Sequence, residues 1–474
     1  MNQKGINQCQ IGMVGLGVMG RNLLLNMADH GFVVAGFDKD ADKVASLKNE
    51  SKEQGVYGAS TLEDFLKLLK KPRAIMMLIP AGKPVDMVID ELLPYLDKGD
   101  LIIDGGNSHY IDTDVRAKRL ENAGIQFLGV GISGGEEGAR RGPSMMPGGP
   151  KEAYEKVRPI LEAVSAKVND EPCVTYLGTG SVGHFVKMVH NGIEYGIMQL
   201  IAEIYDLMKR GLNLSNDEMG KTFKSWNDAE LNSYLVEITS HIFAKVDDKT
   251  HKKLVDEIVA VAQQNGTGLW TSQSAMELQV PDPTIDLAVA MRDLSVLVND
   301  RKQANEFYKR EIHALDVNKN DFLKKLKGAL FTGMILTYAQ GMSILTVASQ
   351  KFNYRLDMEA VARIWRGGCI IRATLLEDFR EAYRAKADLS SLLLDPKLAE
   401  KVMQYQEDLR EVVCAGCKAG IPMPALTVSL GYFDAYRSAW QPANLIQAQR
   451  DYFGSHTYER IDAKGIFHTI WEKD

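Results

Sequence analysis

The segment QIGMVGLGVMG, residues 10–20, decides the fold of the first part of this chain. It begins as an apolar run of strand length and continues into the pattern G-x-G-x-x-G. A strand, a glycine-rich turn and a helix in this order are typical of a dinucleotide-binding unit, because the turn lets a pyrophosphate approach the helix N-terminus. We therefore assign the whole turn to the cofactor site: Gly15, Leu16, Gly17, Val18, Met19 and Gly20.

The second apolar run, residues 32–37, ends directly before Asp38, Lys39 and Asp40. An acid about 20 residues after the glycine motif accepts hydrogen bonds from the ribose hydroxyls of NAD. The 2′-phosphate of NADP would instead meet like charge, at a cost of about 4 kcal/mol per pair at 4 Å and an effective dielectric near 20. Lys39 offsets part of this repulsion. We predict that NAD is preferred and that Asp38 and Asp40 disfavour NADP without excluding it.

Three further apolar runs, residues 74–79, 101–106 and 127–132, are each followed by a helix-length segment or a glycine-rich turn. This alternation indicates a parallel α/β sheet. Residues at the ends of these runs or directly after them are also assigned to the cofactor site: Leu78, Ile79, Pro80, Ala81 and Asn107.

Strand signals disappear beyond residue 183, and long helical patterns continue to about residue 437. The predicted fold class is therefore α/β plus all-α. A Rossmann-like coenzyme domain occupies residues 1–181, and an all-helical domain occupies residues 182–440. The tail, residues 441–474, has little periodicity and many aromatic residues, so we expect it to pack on another surface, either of its own chain or of another subunit.

Charge and composition exclude several classes of protein. A net charge of −6 argues against nucleic acid as the main partner. The N-terminus lacks the pattern of a signal peptide, and five scattered cysteines suit a reducing cytosol. The uncharged stretch 328–350 is long enough to span a bilayer, but its many polar side chains fit a buried helix better. We expect a cytoplasmic protein with no membrane partner.

The segment HFVKMVHNGIEYG, residues 184–196, carries an unusual set of polar side chains. At 3.6 residues per turn, Lys187, His190, Asn191 and Glu194 share one stripe of a helix, with Tyr195 at its edge. One interpretation is a solvated face with a helix salt bridge. The other is a general base, two orienting groups and a general acid directed at one substrate. Spacing alone does not decide between them.

Four motifs occur in a characteristic order, and two later ones continue the pattern: GLGVMG (15–20), DGGNSHY (104–110), GISGGEEGAR (131–140), KMVHNGIEYG (187–196), RGGCIIR (366–372) and ANLIQAQRDYFGSHTYER (443–460). With these motifs the chain closely resembles the decarboxylating 6-phosphogluconate dehydrogenases, which are long members of the β-hydroxyacid dehydrogenase superfamily. The resemblance implies a homodimer in which the tail completes the neighbour's site. It also implies NAD(P)-dependent oxidation and decarboxylation of 6-phospho-D-gluconate to ribulose 5-phosphate and CO2, without a metal.

By resemblance, Lys187 takes the proton of the C3 hydroxyl while a hydride leaves C3, and after CO2 is lost Glu194 protonates C1 of the enediol that remains. A lysine is a base only when burial or its neighbours lower its pKa. The implied substrate-binding residues, of which the last two come from the partner subunit, are Asn107, Ser133, Gly134, Gly135, Lys187, His190, Asn191, Glu194, Tyr195, Asn265, Thr267, Arg292, Arg450 and His456. A non-catalytic cofactor-binding relative is the remote alternative, and it would have no chemical need for Lys187, Asn191 and Glu194.

The sequence departs from the family pattern at two places. The cofactor turn of the family resembles Asn-Arg-Thr or Asn-Arg-Ser, whereas this chain has two acids around Lys39, which agrees with a preference for NAD. The loop NGTGLWT, residues 265–271, has Asn265 and Leu269 where the family has lysines, and the first of these lysines helps to hold the sugar phosphate. A hydrogen bond to a charged group contributes about 1.5–3 kcal/mol, so this loss lowers phosphate affinity more than tenfold unless something compensates.

Three explanations of the altered loop remain open. A basic residue from elsewhere compensates, and 6-phosphogluconate stays the substrate. The substrate carries a smaller charge at C6, as in 6-deoxy-6-sulfo-D-gluconate. Or the C6 end of the substrate is neutral.

Overall fold

The computed structural model describes residues 8–51, 55–309 and 312–471. The first residues of the predicted coenzyme domain (1–7) and the last residues of the predicted tail (472–474) lie outside this range. The domain limits at residues 181 and 440 stay predictions.

A seven-stranded sheet forms the first part of the chain, with the strand order β3-β2-β1-β4-β5-β6-β7. All neighbouring strands are parallel except β6 and β7. The strands are β1 (Ile11–Val14), β2 (Val34–Phe37), β3 (Val56–Ala59), β4 (Ala74–Met77), β5 (Leu101–Asp104), β6 (Gln126–Ser133) and β7 (Ser144–Gly148). A two-stranded sheet follows, formed by β8 (Lys167–Val168) and β9 (Glu171–Pro172).

Helices cover both faces of the large sheet, which explains why its central strands are apolar throughout. They are α1 (Val18–Asp29), α2 (Ala41–Glu50), α3 (Leu62–Leu68), α4 (Lys83–Leu92), α5 (Tyr110–Asn122), α6 (Gly135–Arg141) and α7 (Lys151–Val164). Ile11 and Met13 of β1 pack into the core on one face and Val14 packs into the core on the other.

The α/β plus all-α fold class is confirmed, and the five strands predicted from apolar runs are present. Two strands of the large sheet were not predicted. Strand β3 is an edge strand that is largely half-buried, so its sequence VYGA lacks a continuous apolar run. Strand β7, SMMPG, ends in proline and glycine, which are typical of a turn.

The second part of the chain is helical and is built around α8 and the long helix α15, which packs on α8 and α18. Its helices are α8 (Val182–Asp206), α9 (Asn216–Asn227), α10 (Tyr234–Ala244), α11 (Leu254–Glu257), α12 (Thr267–Leu278), α13 (Pro283–Val296), α14 (Val298–Phe307), α15 (Lys319–Lys351), α16 (Met358–Ile364), α17 (Leu375–Ala385), α18 (Pro396–Ala419) and α19 (Pro424–Tyr436). Helix α15 is apolar and long enough to cross a membrane, but 83% of its most apolar window is buried inside the protein. It is therefore a core helix, as the sequence predicted.

The tail folds into a helix and a hairpin, which its weak periodicity did not predict. These elements are α20 (Ala443–Gly454), β10 (Tyr458–Glu459) and β11 (Ile466–Phe467). Large apolar side chains of the tail stay exposed in the single chain: Leu445, Ile446, Tyr452, Phe453, Ile461, Ile466 and Ile470.

Candidate active site

Glycines allow the start of α8 to lie directly against β6 and β7. A Cβ on Gly183 would lie 2.2 Å from the carbonyl oxygen of Met146, and a Cβ on Gly131 would lie 2.3 Å from the Cβ of Lys187. Only a residue without a side chain fits at these two positions. This close contact brings Lys187 to the end of β6, at the junction of the two parts of the chain.

Lys187 is buried and surrounded by polar partners from its own helix. Its Nζ donates to Asn191 Oδ1 at 2.7 Å and lies 3.4 Å from His190 Nδ1. Asn191 is held in turn by a 3.1 Å hydrogen bond from its Nδ2 to Thr267 Oγ1. Burial lowers the pKa of Lys187, whereas the charge of Glu194 acts in the opposite direction. The arrangement suits a lysine that functions in its neutral form.

His190 and Glu194 complete the stripe. His190 is fully buried, and its Nε2 lies 3.2 Å from Ser133 Oγ, while its Nδ1 lies 3.9 Å from Glu194 Oε2. Burial, and then the charge of Lys187, lower the pKa of His190 well below its usual range. Burial raises the pKa of Glu194, although Lys187 and Arg292 act against this. The interpretation of the stripe as a solvated face is wrong, because its residues are buried or nearly so.

The loop at the end of β6 lies against the loop of residues 366–372. Gly134 has a φ of +115°, and a Cβ there would lie 2.6 Å from the carbonyl oxygen of Gly368. The N–H of Ile370 points to Ser133 Oγ at 3.5 Å. Ser133, which contacts the buried His190, thus begins a loop that continues through Gly134 and Gly135.

A second group of side chains lies next to the stripe, around Tyr195 of α8, and includes residues from two other segments. The Arg292 guanidinium stacks on the Tyr195 ring, 3.3 Å from its centre, and donates to the Gln263 carbonyl oxygen at 3.1 Å. The N–H of Asn265 reaches Tyr195 Oη at 3.4 Å. The structure therefore brings Asn265, Tyr195 and Arg292 together, with Thr267 linking them to the Lys187 group.

The residues of the glycine turn fit a dinucleotide. Gly15 has a φ of +94°, and a Cβ there would lie 2.5 Å from the carbonyl oxygen of Leu78, while a Cβ on Gly20 would lie 1.9 Å from the carbonyl oxygen of Gly15. A Cβ on Gly17 would point into space that the described residues leave open. The turn thus packs tightly on its protein side and leaves room on the side where a pyrophosphate would approach α1.

Asp38 lies beside this turn, where the sequence predicts the ribose, and is held by backbone donors. Its Oδ2 accepts from the N–H of Leu16 at 2.8 Å, and its Oδ1 accepts from the N–H of Asp40 at 3.0 Å. Asp40 caps α2 by accepting from the N–H of Asp42. Lys39 points away to Glu91 at 2.6 Å, and the cation near Asp38 is Lys43, whose Nζ lies 3.6 Å from Oδ2. The charge expected of Lys39 is therefore supplied by Lys43.

The remaining predicted cofactor residues follow β4 and β5, which are neighbours in the sheet. Leu78, Ile79 and Ala81 are half-buried, whereas Pro80 and Asn107 are exposed. Both loops leave the carboxyl ends of parallel strands, β4 next to β1 and β5 next to β4, and ligands bind at this edge of open α/β sheets. The predicted dinucleotide crevice would therefore have three walls: the glycine turn, residues 78–81 and the loop of Asn107.

Arg450 and His456 are exposed on the tail of the single chain. Arg450 donates to Gln447 at 3.0 Å, and His456 packs on Phe453. Asp451 between them is buried and accepts four hydrogen bonds, from the N–H groups of Thr457 and Thr469 and from the side chains of His468 and Trp471. Burial alone would raise the pKa of Asp451, but these hydrogen bonds lower it to about 2.

Comparisons with known proteins cover nearly the whole chain. Residues 10–178 match the family model described as the NAD binding domain of 6-phosphogluconate dehydrogenase, and residues 183–471 match the model of its C-terminal domain. The chain belongs to the decarboxylating 6-phosphogluconate dehydrogenase family. It is an NAD(P)-dependent oxidoreductase of that type.

Named relatives match this member of the 6-phosphogluconate dehydrogenase family over nearly its full length. The chain is 49% identical to the NADP(+)-dependent, decarboxylating 6-phosphogluconate dehydrogenase of Bacillus subtilis, over 98% of this chain and 99% of that protein. It is 48% identical to a decarboxylating enzyme of Staphylococcus aureus, with the same coverage. The Plasmodium falciparum 6-phosphogluconate dehydrogenase, solved in apo form and with NADP+ or 6-phosphogluconate, has a TM-score of 0.94 and 44% identity, over 98% of this chain and 100% of that one.

Two groups of residues near the predicted site were missed from the sequence of this family member. Gly368 and Ile370 contact the loop of Ser133, although they are more than 200 positions away. Their motif, residues 366–372, carried the resemblance but had no assigned role. Lys43 lies on α2, one helical turn after the acids, and its position near Asp38 could have been inferred from helix geometry.

Proposed function

We propose that the protein converts 6-phospho-D-gluconate to ribulose 5-phosphate and CO2, with NAD preferred over NADP. The observation that carries this proposal is the buried Lys187, held by Asn191 and His190 at the junction of the dinucleotide domain and the helical domain. Burial lowers the pKa of Lys187, and a neutral amine can accept the proton of an alcohol. The five unpaired cysteines of the chain support a cytoplasmic location.

The reaction divides between two side chains of α8. Lys187 removes the proton of the C3 hydroxyl as C3 is oxidised, and the dinucleotide, when bound, accepts the hydride. The resulting β-keto acid loses CO2, because its C3 carbonyl can take up the electrons of the broken bond, and the protonated Lys187 stabilises the oxygen. Glu194 then donates a proton to C1 of the enediol. Burial raises the pKa of Glu194, which supports its role as an acid.

Polar groups hold the substrate at both ends. Ser133 and the N–H groups after β6 are positioned for the carboxylate. Arg292 is positioned for the C6 substituent, beside Tyr195 and Asn265. Its guanidinium can form two parallel hydrogen bonds with a phosphate, which compensates in part for the missing lysine.

The replacement of both loop lysines favours a second candidate, oxidation and decarboxylation of 6-deoxy-6-sulfo-D-gluconate. A sulfonate carries one negative charge and needs fewer cations than a phosphate dianion. Asn265 contributes a neutral side chain where a second cation would stand. The relatives above are named for 6-phosphogluconate, which keeps that substrate first.

The test is direct turnover of each sugar acid. NADH formation and CO2 release are measured with 6-phosphogluconate and with 6-deoxy-6-sulfogluconate at matched concentrations, and Lys187→Met serves as the inactive control. A higher kcat/KM for 6-phosphogluconate supports the first proposal, whereas a higher value for the sulfonate supports the second. Wild-type protein without CO2 release on either compound refutes both.

We also propose a homodimer in which the tail of each chain supplies Arg450 and His456 to its partner's site. The exposed apolar side chains of the tail support this, because a surface of that kind normally meets another protein. Each active site would then combine Lys187 of one chain with Arg450 of the other chain. Inactive Lys187→Met and Arg450→Ala subunits, mixed and reassembled, should regain activity, since one site of each mixed dimer is intact. Mixtures that stay inactive although mixed dimers form refute the shared site.

A further inference from the structure

Arg116 on α5 connects two loops of the dinucleotide crevice, although it belongs to neither loop. Its Nη2 donates to the carbonyl oxygen of Gly82 at 3.0 Å, directly after the loop of residues 78–81. Its Nη1 lies 3.4 Å from Ser108 Oγ and 3.7 Å from Asp104 Oδ2, on the two sides of Asn107. One guanidinium therefore contacts both loops.

The turn that carries Asn107 is built around the carboxylate of Asp104. This carboxylate is fully buried and accepts from the N–H of Gly106 at 3.0 Å and from Ser108 Oγ at 2.6 Å. A buried carboxylate needs a counterion, and Arg116 is placed to provide it. The position of Asn107 thus depends on a charge pair that faces the other loop.

Asp86 on α4 holds the guanidinium in place from the other side. It accepts from Nε of Arg116 at 2.7 Å and from Nη2 at 3.0 Å, which is a bidentate pair. The hydrogen bond from Arg116 lowers the pKa of Asp86, so this carboxylate is ionised at neutral pH. The Arg116 side chain is only 4% exposed, and its orientation is therefore set by these partners.

The same turn also contacts the helix of the predicted base. The backbone carbonyl oxygen of Asp104 lies 3.1 Å from Nε2 of His184, which is buried on α8 one turn before Lys187. Nε2 of His184 can donate to this carbonyl oxygen, and Nδ1 lies 2.6 Å from the hydroxyl Oγ1 of Thr113. Burial lowers the pKa of His184, in agreement with a neutral ring. A shift of the Asp104 turn would therefore change the positions of residues both in the crevice and on α8.

We propose that Arg116 is a positioning residue for hydride transfer: it sets the distance between the two predicted cofactor loops and keeps Asn107, which is assigned to both the cofactor and the sugar acid, in register with Lys187. This inference rests on the proposed dinucleotide site. An ion pair that only joins α4 to α5 would not have this role, and the chain contains such a pair for comparison. Arg119 and Asp90 form such a pair between the same two helices, with both side chains exposed.

The experiment compares Arg116→Gln and Arg116→Lys with the matched control Arg119→Gln. Three quantities are measured: the Kd of NADH without sugar acid, kcat, and the deuterium isotope effect on kcat with 6-phosphogluconate labelled at C3. We expect Arg116→Gln to weaken NADH binding, to lower kcat about tenfold to a hundredfold, and to increase the isotope effect, because misplaced reactants slow the hydride step. Arg116→Lys should recover part of each change, and Arg119→Gln should match the wild type.

A role limited to stability would give a different result. The folded fraction would fall and kcat would fall with it, but the Kd of NADH and the isotope effect would stay at the wild-type values, and this outcome overturns the proposal. If Arg116→Gln does not fold, Asp86→Asn takes its place, because it loosens the guanidinium from a half-exposed position. Wild-type Kd and isotope effect in Asp86→Asn would then overturn the proposal. Should the wild type not oxidise 6-phosphogluconate, the proposed function fails, and the Kd comparison still tests Arg116.

Discussion

Replacing Asp38 by asparagine is expected to move the cofactor preference from NAD toward NADP. The Asp38 side chain is 13% exposed, so its charge is weakly screened by solvent, whereas the Asp40 side chain is 50% exposed and caps α2. The effect should therefore reside in Asp38. Asparagine keeps one acceptor oxygen for the N–H of Leu16 and removes the negative charge.

The magnitude follows from two contributions. A 2′-phosphate about 4 Å from the carboxylate is repelled by about 4 kcal/mol at an effective dielectric near 20, and Lys43, 3.6 Å from Asp38 Oδ2, offsets part of this. NAD in turn loses hydrogen bonds to a charged group, at about 1.5–3 kcal/mol each. Lys43 and the amide oxygen that remains in asparagine each reduce these contributions by about half, so the combined change is about 3 kcal/mol, or about 10²-fold in the NAD-to-NADP ratio of kcat/KM. The freed Lys43 then faces the added phosphate.

The assay measures initial rates with NAD and with NADP at saturating sugar acid, for the wild type, for Asp38→Asn and for Asp42→Asn. Asp42 is an exposed acid in the first turn of α2, so its replacement removes the same charge away from the ribose site. We expect Asp42→Asn to keep the wild-type ratio. The reasoning is refuted if the wild type prefers NADP, or if Asp38→Asn changes the ratio no more than Asp42→Asn does.

Three further predictions concern catalysis and the sugar acid. Activity should rise with pH as Lys187 loses its proton and fall as Glu194 ionises, because the base must be neutral and the acid protonated. Lys187→Met should lower kcat about 10²–10⁴-fold. Glu194→Gln should remove the alkaline limb of the pH profile, and an unchanged limb would contradict the role of Glu194. Asn265→Lys should lower the KM for 6-phosphogluconate more than tenfold by adding a charged hydrogen bond, and a KM that does not fall argues against this position as a phosphate contact. Asp451→Asn should raise the KM for the sugar acid without changing the KM for the dinucleotide, because it weakens the hydrogen bonds that hold the tail next to Arg450. Equal effects on both KM values would count against the shared site.

Much of the fold could be predicted from local patterns. Strands that are covered on both faces are mostly apolar, so five of the seven strands of the large sheet could be recognised as apolar runs in the sequence. Strand β3 escaped because it lies at an edge, and β7 escaped because proline and glycine resemble a turn. The tail helix α20 was missed although Leu445, Ala448 and Tyr452 recur at helical spacing, because this pattern spans only two turns before the chain continues into the hairpin.

The spacing of Lys187, His190, Asn191 and Glu194 placed them on one stripe, and helix geometry alone determines that. Whether the stripe faces solvent or a site depends on what packs against α8, and only the tertiary structure decided this.

By itself the sequence determined the fold class, the glycine turn, the acids that follow the second strand and the family. These features depend on local geometry and on the order of motifs along the chain. The tertiary structure decided the burial of Lys187, the replacement of Lys39 by Lys43 as the cation near Asp38, and the connection of two loops by Arg116. Each of these depends on contacts between residues distant in sequence, because desolvation and charge pairing are set by three-dimensional neighbours.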